Sequence, residues 1–257
     1  MTIVTVDQSS WGKLRVTGED RERFMQGMVT NELAGMAVGT FRKAAILSVK
    51  GRVLAVVDIV AEEGSYLVLT EPATGKKVLD VLERHAIADD VTFTPVELPC
   101  HRVWDSLEAV WIAPPVLVAA AAPSSDAEVE IRRVEAGLPR YGADVSEDQF
   151  PFEANLDRII SYTKGCYAGQ EVVARANARG HAKKRLVGLR LAAPVAAGAK
   201  IVAATRPDAG WVTSAVVSPA FGPIALAYVH HTVWAPGTAL QAGEIAATVT
   251  ELPFGAG

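Results

Sequence analysis

The groups in this sequence best suited to covalent chemistry are its two cysteines, Cys100 and Cys166, and only Cys166 sits in a dense polar setting. It lies in the run Lys164, Gly165, Cys166, Tyr167, Ala168, Gly169, Gln170, Glu171, followed by Arg175, Arg179 and Gly180. Glycines on both sides of a cysteine permit tight turns and close approach of another group. A helix expected to begin near Gly169 would bring its free N–H groups and partial positive end close to Cys166. With Lys164 nearby, that setting favours thiolate over thiol and makes the sulfur nucleophilic or metal-seeking. The competing explanation is a small cysteine that simply packs in the interior.

A protein-held iron–sulfur cluster usually needs four thiolates, and a structural zinc needs four ligands at short paired spacings. The two cysteines are far apart, and the five histidines (His85, His101, His181, His230 and His231) form neither an HExxH nor a CxxC pattern. No permanently bound metal is therefore expected. His230 and His231 are adjacent at the end of an expected strand, where one ring normally points inward and the other outward.

The elements that must position Cys166 follow from hydrophobic period and turn residues. Leu14 to Val16 reads as a strand running into a helix capped by Thr17 with Asp20 three residues on, whose apolar face is Phe24, Met25 and Met28. Phe41 to Val49 and Arg52 to Val60 form a hairpin about Lys50 and Gly51, and Tyr66 to Leu69 is a further strand. An amphipathic helix follows from about Ala73 to His85. Ile131 to Val134 reads as a strand, Glu153 to Tyr162 as a helix, and Gly169 to Asn177 as the start of another. The Ala- and Pro-biased stretch from Ile112 to Ser125 has no settled assignment. After about Arg185, short β-rich runs alternate with Gly and Pro turns, the pattern of a small antiparallel barrel. The fold class is α+β, with a boundary near residue 183 separating 1–182 from a barrel domain at 183–257. No internal repeat is evident.

Composition narrows the class further. The chain has 257 residues, half of them hydrophobic, and a formal net charge of −4, which fits a globular protein with a sizeable core. No apolar run approaches the roughly 18 residues of a membrane helix. The start lacks a basic segment followed by a long apolar one, so a cytoplasmic protein is expected. Between Glu171 and Asp208 there is no acidic residue, whereas Arg175, Arg179, Lys183, Lys184, Arg185, Arg190, Lys200 and Arg206 all occur. That local positive field suits a small anionic ligand or an acidic protein ahead of tRNA, because no aromatic interleaving marks a nucleic-acid platform.

The K-G-C-Y-x-G-Q-E run followed by V-A-R resembles the signature of the YgfZ family, folate-binding proteins of iron–sulfur cluster maintenance related to the glycine-cleavage aminomethyltransferase. Four further blocks resemble the family in the same order. They are Phe24 to Asn31 (FMQGMVTN), Lys50 to Leu54 (KGRVL), Glu135 to Pro139 (EAGLP) and Phe152 to Leu156 (FEANL). The resemblance implies two interlocked α+β units with a C-terminal antiparallel β-barrel, and tetrahydrofolate or a derivative as ligand. It assigns Glu135 to the pterin edge, whose N–H and amino group form a donor pair that one carboxylate accepts through both oxygens. It places Trp11 against the folate as a flat stacking surface and adds Asn31, Tyr141 and Arg175 to the folate-binding set. In the cysteine motif it implies Cys166 as the essential thiol, with Lys164, Gln170 and Glu171 shaping and polarising its loop.

Two departures from the family pattern bear on chemistry. A second folate-associated tryptophan falls near Val129, which cannot stack. The acidic pair that serves aminomethyltransferases after the hairpin falls on Ala55 and Val56, and an alkyl group neither donates nor accepts a proton. Asp58 shares a strand face with Val56 but is displaced by roughly 7 Å along the strand. The expected function is therefore a folate-binding accessory protein assisting iron–sulfur cluster assembly or repair, with client or assembly proteins as partners. The alternatives are a folate-dependent one-carbon transferase or demethylase using Asp58, and a tRNA-modification factor.

Overall fold

The computed structural model describes residues 4–104, 110–113, 122–178, 180 and 182–255. The chain forms two compact units, each assembled from separate segments. The first comprises 1–123, 146–151 and 157–175; the second comprises 124–145, 152–156 and 176–257.

The first unit contains two sheets. Strands β1 (Val4–Asp7), β2 (Gly12–Thr17), β3 (Phe41–Leu47), β4 (Val53–Glu62), β5 (Ser65–Thr70), β6 (Thr92–Pro95), β7 (His101–Trp104), β8 (Val110–Ala113) and β9 (Ala122–Pro123) supply them. The five-stranded sheet runs β3-β4-β5-β2-β6 and the four-stranded one β8-β7-β1-β9. Helices α1 (Arg21–Met28) and α2 (Gly75–His85) accompany them. Strand alternation sends Leu14, Val16, Ala55, Val57, Ile59 and Val68 to one face of the larger sheet. There they share a core with Phe24, Met25 and Met28 of α1 and Val78 and Leu82 of α2. Each large side chain fully buried in this way contributes about 1.5–3 kcal/mol. Cross-strand register aligns Lys43, Asp58, Leu69 and Lys13 in one row across β3, β4, β5 and β2.

The second unit holds helix α3 (Asp126–Glu135) and a closed barrel. The barrel strands are β10 (Lys184–Leu191), β11 (Lys200–Ala203), β12 (Arg206–Ser218), β13 (Gly222–His230), β14 (Ala239–Ala242) and β15 (Ile245–Thr250). They close in the order β10-β13-β12-β11-β14-β15 with every pairing antiparallel. Leu189, Ile201, Val212, Val229, Leu240 and Val249, with Ala225, Ala227 and Ala247 between them, form one buried cluster. That mixture of large and small side chains suits the interior of a small barrel. Helix α4 (Gln170–Ala178) follows the cysteine loop.

Three local expectations are corrected. Ile131 to Val134 belongs to α3 and not to a strand. Ser125 Oγ accepts from Glu128 N while the Glu128 side chain accepts from Ser125 N, and this reciprocal cap starts a helix just before the apolar residues. Glu153 to Tyr162 is not one helix but two short 3-10 turns, Pro151–Ala154 and Asp157–Ile159. Asn155 between them has φ of 55°, a left-handed conformation that interrupts helix propagation. The cap expected from Thr17 is absent: α1 begins after Asp20, whose carboxylate accepts from Asp90 N and the Arg23 side chain instead of from a backbone N–H of its own helix. Within the Ala/Pro-rich stretch, residues 114–121 lie outside the described residues, as do Arg179 and His181.

Candidate functional site

The cysteine loop is built in the first unit by three sequence blocks that are far apart in the chain. Lys164 is buried, and its Nζ donates to the carbonyl oxygens of Gln26 (2.8 Å), Val29 (2.9 Å) and Asn31 (2.8 Å). These carbonyls lie in and just after the last turn of α1, where the helix leaves acceptors without intrahelical partners and carries a partial negative charge. One ammonium satisfies three of them, and no proton remains for the Cys166 sulfur. Burial pulls the Lys164 pKa down to about 8, opposed by the negative charge of Glu32. Farther along the loop, Ala168 N donates to Gly27 O at 3.1 Å.

Gly169 brings in the hairpin between β3 and β4. It has φ of 78°, and a Cβ there would lie 2.4 Å from the Ser48 carbonyl oxygen and 3.1 Å from Gly51 Cα. Gly51 has φ of 72°, and a Cβ on it would lie 3.0 Å from Val173 on α4. The glycines of the hairpin block and of the cysteine block therefore pack backbone against backbone, an approach that a side chain on either would obstruct. Gln170 Oε1 accepts from Tyr167 N at 3.3 Å and closes the loop on itself. Tyr167 is buried, which pushes its phenol up to about 12. Cys166, between these anchors, is exposed, whereas Cys100 is buried. Glu171 pairs with Arg175 one helical turn on, on exposed surface.

The remaining expected residues of the first unit have separate settings. Asn31 Nδ2 donates to Lys43 O and its Oδ1 accepts from Glu32 N, so its amide ties the α1 exit to β3. Ala55 is buried in the core face of β4. Asp58 is 1% exposed and forms an ion pair with Lys43 across the strands at 3.0 Å. Trp11 is half-buried and borders a cleft of about 470 Å³ whose wall also includes Ser9, Lys13, Val96 and Leu98. Lys13 Nζ donates there to Ser9 O and Trp11 O.

Glu135 belongs to the second unit, at the last position of α3. Ser218 Oγ donates to its Oε1 at 2.5 Å, and Phe254 N donates to its main-chain oxygen at 2.8 Å. Just before it on the same helix, buried Arg133 bonds Glu130, Asp144, Ser214 Oγ and the Leu138 carbonyl. Asp144 also accepts from Arg140 N, Thr213 Oγ1 and Ser214 Oγ, fastening α3 and the following turn to β12. Burial pushes Glu130 up, but Arg133 outweighs it and holds the carboxyl below its ordinary value. Tyr141 is half-buried in that turn and makes a bridge to Val145. Val129, near which the family pattern has a second tryptophan that this chain lacks, is half-buried on α3.

In the acid-free stretch, Lys184, Arg185, Arg190 and Arg206 are each engaged separately. Lys184 Nζ lies 4.8 Å from the Trp211 ring and 5.2 Å from the Tyr228 ring, and Arg190 lies over Phe221. Arg185 donates to Asn155 Oδ1, and Arg206 to Asp208 O. The Lys184 contact adds an aromatic to the stretch that sequence proximity does not show, because Trp211 arrives from another strand. Among the described residues, no group of three or more His, Cys, Asp or Glu side chains is placed to hold a metal ion, and no helix is long and apolar enough to cross a membrane.

Gly51, Asp144 and Ser218 were not singled out as site residues by sequence. Only Gly51 carried a signal, as the turn residue of a hairpin; the contacts that join Asp144 to Thr213 and Ser214, and Ser218 to Glu135, span 69 to 83 residues of chain.

Comparison with known proteins agrees with this architecture. Residues 2–101 match the family model described as the GCVT N-terminal domain, and residues 184–255 match the glycine cleavage T-protein C-terminal barrel domain. An aminomethyltransferase of Saccharopolyspora erythraea is 39% identical over 130 residues, covering 48% of this chain and 35% of that protein. An aminomethyltransferase of Streptomyces avermitilis is 26% identical, covering 91% of this chain and 80% of that protein. The tRNA-modifying protein YgfZ of Escherichia coli is 26% identical, covering 72% of this chain and 71% of that protein. The crystal structure of glycine cleavage system aminomethyltransferase T from Bartonella henselae shares the fold, with a TM-score of 0.85 at 18% identity over 98% of this chain and 86% of that one. With the two T-protein models together matching more than half of its residues and YgfZ among its relatives, the chain belongs to the family that unites the glycine cleavage T-protein and YgfZ.

Proposed function

We propose that this protein is a tetrahydrofolate-binding accessory factor that assists assembly or repair of iron–sulfur enzymes through the Cys166 thiol. The observation that carries the proposal is the contrast within one loop. Lys164, Tyr167, Ala168, Gly169 and Gln170 are each anchored, while the thiol between them is exposed. A rigid loop that presents one unused nucleophile suits transient chemistry with a partner. One thiolate cannot hold a cluster alone, so contact with cluster iron would be brief or shared with a client or assembly protein. A cytoplasmic setting, where thiols stay reduced, belongs to the same proposal.

Glu135 is suited to the pterin edge. Its carboxylate is partly exposed, and after accepting from Ser218 it keeps lone pairs on both oxygens for an N–H and amino pair. Taken by itself within the first unit, Trp11 offers an indole beside a cleft, suited to a flat ring. The one-carbon transferase alternative is weaker. Ala55 and Val56 carry no titratable group, and Asp58 is buried against Lys43.

Two measurements test the proposal. Cys166→Ala should leave the thermal melt unchanged and lower the activity of iron–sulfur enzymes in cells; normal activity there would refute the thiol role. In calorimetric titration with tetrahydrofolate, Glu135→Gln should bind at least about tenfold more weakly than wild type, the consequence of losing a charge-assisted pair. The name of the Escherichia coli relative favours a second reading, tRNA modification. It requires tight, salt-sensitive tRNA binding that weakens on neutralising Lys184 and Arg185.

A further inference from the structure

We infer that Ser218 is a positioning residue for Glu135, pinning one carboxylate oxygen so that the group meets its ligand as a fixed acceptor for a donor–donor edge. The inference deepens the folate proposal and rests on it for the identity of the ligand. Ser218 is the last residue of β12, and its Oγ accepts from Ala220 N and Phe221 N, both at 3.0 Å. A serine hydroxyl has two lone pairs and one proton. With both lone pairs engaged by the turn, only the proton is left, and it is directed to Glu135 Oε1 at 2.5 Å. That distance is in the range of a hydroxyl donating to an ionised carboxylate.

The position of Glu135 points to a task other than stability. It ends α3, where the partial negative charge of the helix disfavours an anion. The buried cation of the same helix, Arg133, is taken by Glu130 and Asp144, and no ion pair reaches Glu135 among the described residues. The residue is nevertheless held twice, through Ser218 at its side chain and Phe254 at its main chain. Fixing Oε1 stops rotation of the carboxylate plane, which a bidentate contact requires. The free lone pair on Oε1 and the two on Oε2 then face the ligand, so an edge with two donors is accepted and one with an acceptor is repelled.

The test uses the full chain as wild type, Ser218→Ala, Ser218→Thr, Glu135→Gln and the double variant Ser218→Ala/Glu135→Gln. In the ligand-free protein, 13C relaxation of the Glu135 side chain should show order that is lost in Ser218→Ala and regained in Ser218→Thr. Loss of the turn alone would not produce that pattern at Glu135. In titrations with tetrahydrofolate, Ser218→Ala should weaken binding about tenfold, Ser218→Thr should restore it, and Ser218→Ala should add no loss to Glu135→Gln. Unchanged Glu135 order in Ser218→Ala, or wild-type affinity in Ser218→Ala when Glu135→Gln binds poorly, would overturn the inference and leave the folate proposal standing. Wild-type affinity in Glu135→Gln would instead overturn the folate proposal at this residue, and the relaxation data would then decide the clamp by themselves.

Discussion

The loop around Cys166 and the helix end at Glu135 are both held by buried polar groups, but by different means. The loop is held on backbone atoms: an ammonium on three carbonyls, the Gln170 amide oxygen on Tyr167 N, one N–H on Gly27 O, and two glycines in close approach. The helix end is held through side chains, with Arg133 and Asp144 at its centre and Ser218 at its rim. Backbone anchoring leaves the side chain between the anchors unoccupied, which suits a thiol to be presented. Side-chain anchoring uses functional groups as struts, so only the lone pairs left over on Glu135 can meet a ligand. The two halves of the proposed function thus depend on different parts of the structure.

The comparison can be broken most forcefully at Asp144. Asp144→Ala takes from the buried Arg133 one of its two carboxylate partners, leaving Glu130, and removes an acceptor from Thr213, Ser214 and Arg140 N. Removing one member of a buried ion pair costs about 3–5 kcal/mol, to be read from denaturant unfolding. A loss under about 1 kcal/mol would show that side-chain anchoring does not hold the helix end.

Lys164→Met comes next, at about 3 kcal/mol, because it strands three carbonyls at the α1 exit. The wild type adds a pH signature. Burial holds the Lys164 pKa near 8, below its ordinary 10.5, so the folded protein gives up this proton first. Between about pH 8 and 10 the unfolded chain binds more protons at this site, and stability should rise with pH relative to Lys164→Met. A constant difference across that window would remove the buried ammonium from the explanation.

A smaller effect separates the two glycines that flank the thiol. Gly169→Ala should cost about 2–3 kcal/mol, since its positive φ and the Ser48 oxygen both oppose a Cβ. A Cβ on Gly165 would meet nothing within 4 Å, and its φ is not positive, so Gly165→Ala should leave the melting temperature nearly unchanged. Equal effects would mean that the contact with the hairpin does not shape the loop. The smallest change is expected at the exposed Glu171–Arg175 pair, where Glu171→Gln should fall within the error of a denaturant titration.

The hairpin of β3 and β4, α2 and the barrel strands were legible because alternation, helical period and turn glycines all agreed locally. α3 was misread because Val129, Ile131 and Val134 are too few to separate the two periods, and the decisive signal lay upstream in Ser125 and Glu128. The 153–162 helix failed for a tertiary reason. Asn155 donates to Leu186 O and accepts from Arg185, and these contacts hold it in the left-handed region against helical propensity. At the candidate site, Cys166 and Glu135 were visible as residue types in motifs. That Lys164 caps α1 was not visible, because its partners at 26, 29 and 31 lie more than a hundred residues away.

The sequence by itself determined the periods of the β3–β4 hairpin, of α2 and of the barrel strands, their turn positions, and a cysteine motif with its accompanying blocks. It also determined that β4 carries alkyl groups at 55 and 56. Only the tertiary structure decided which polar group each buried donor and acceptor would meet. The physical reason is that burial removes water as the default partner, so every such group must find another in whichever distant segment packs against it.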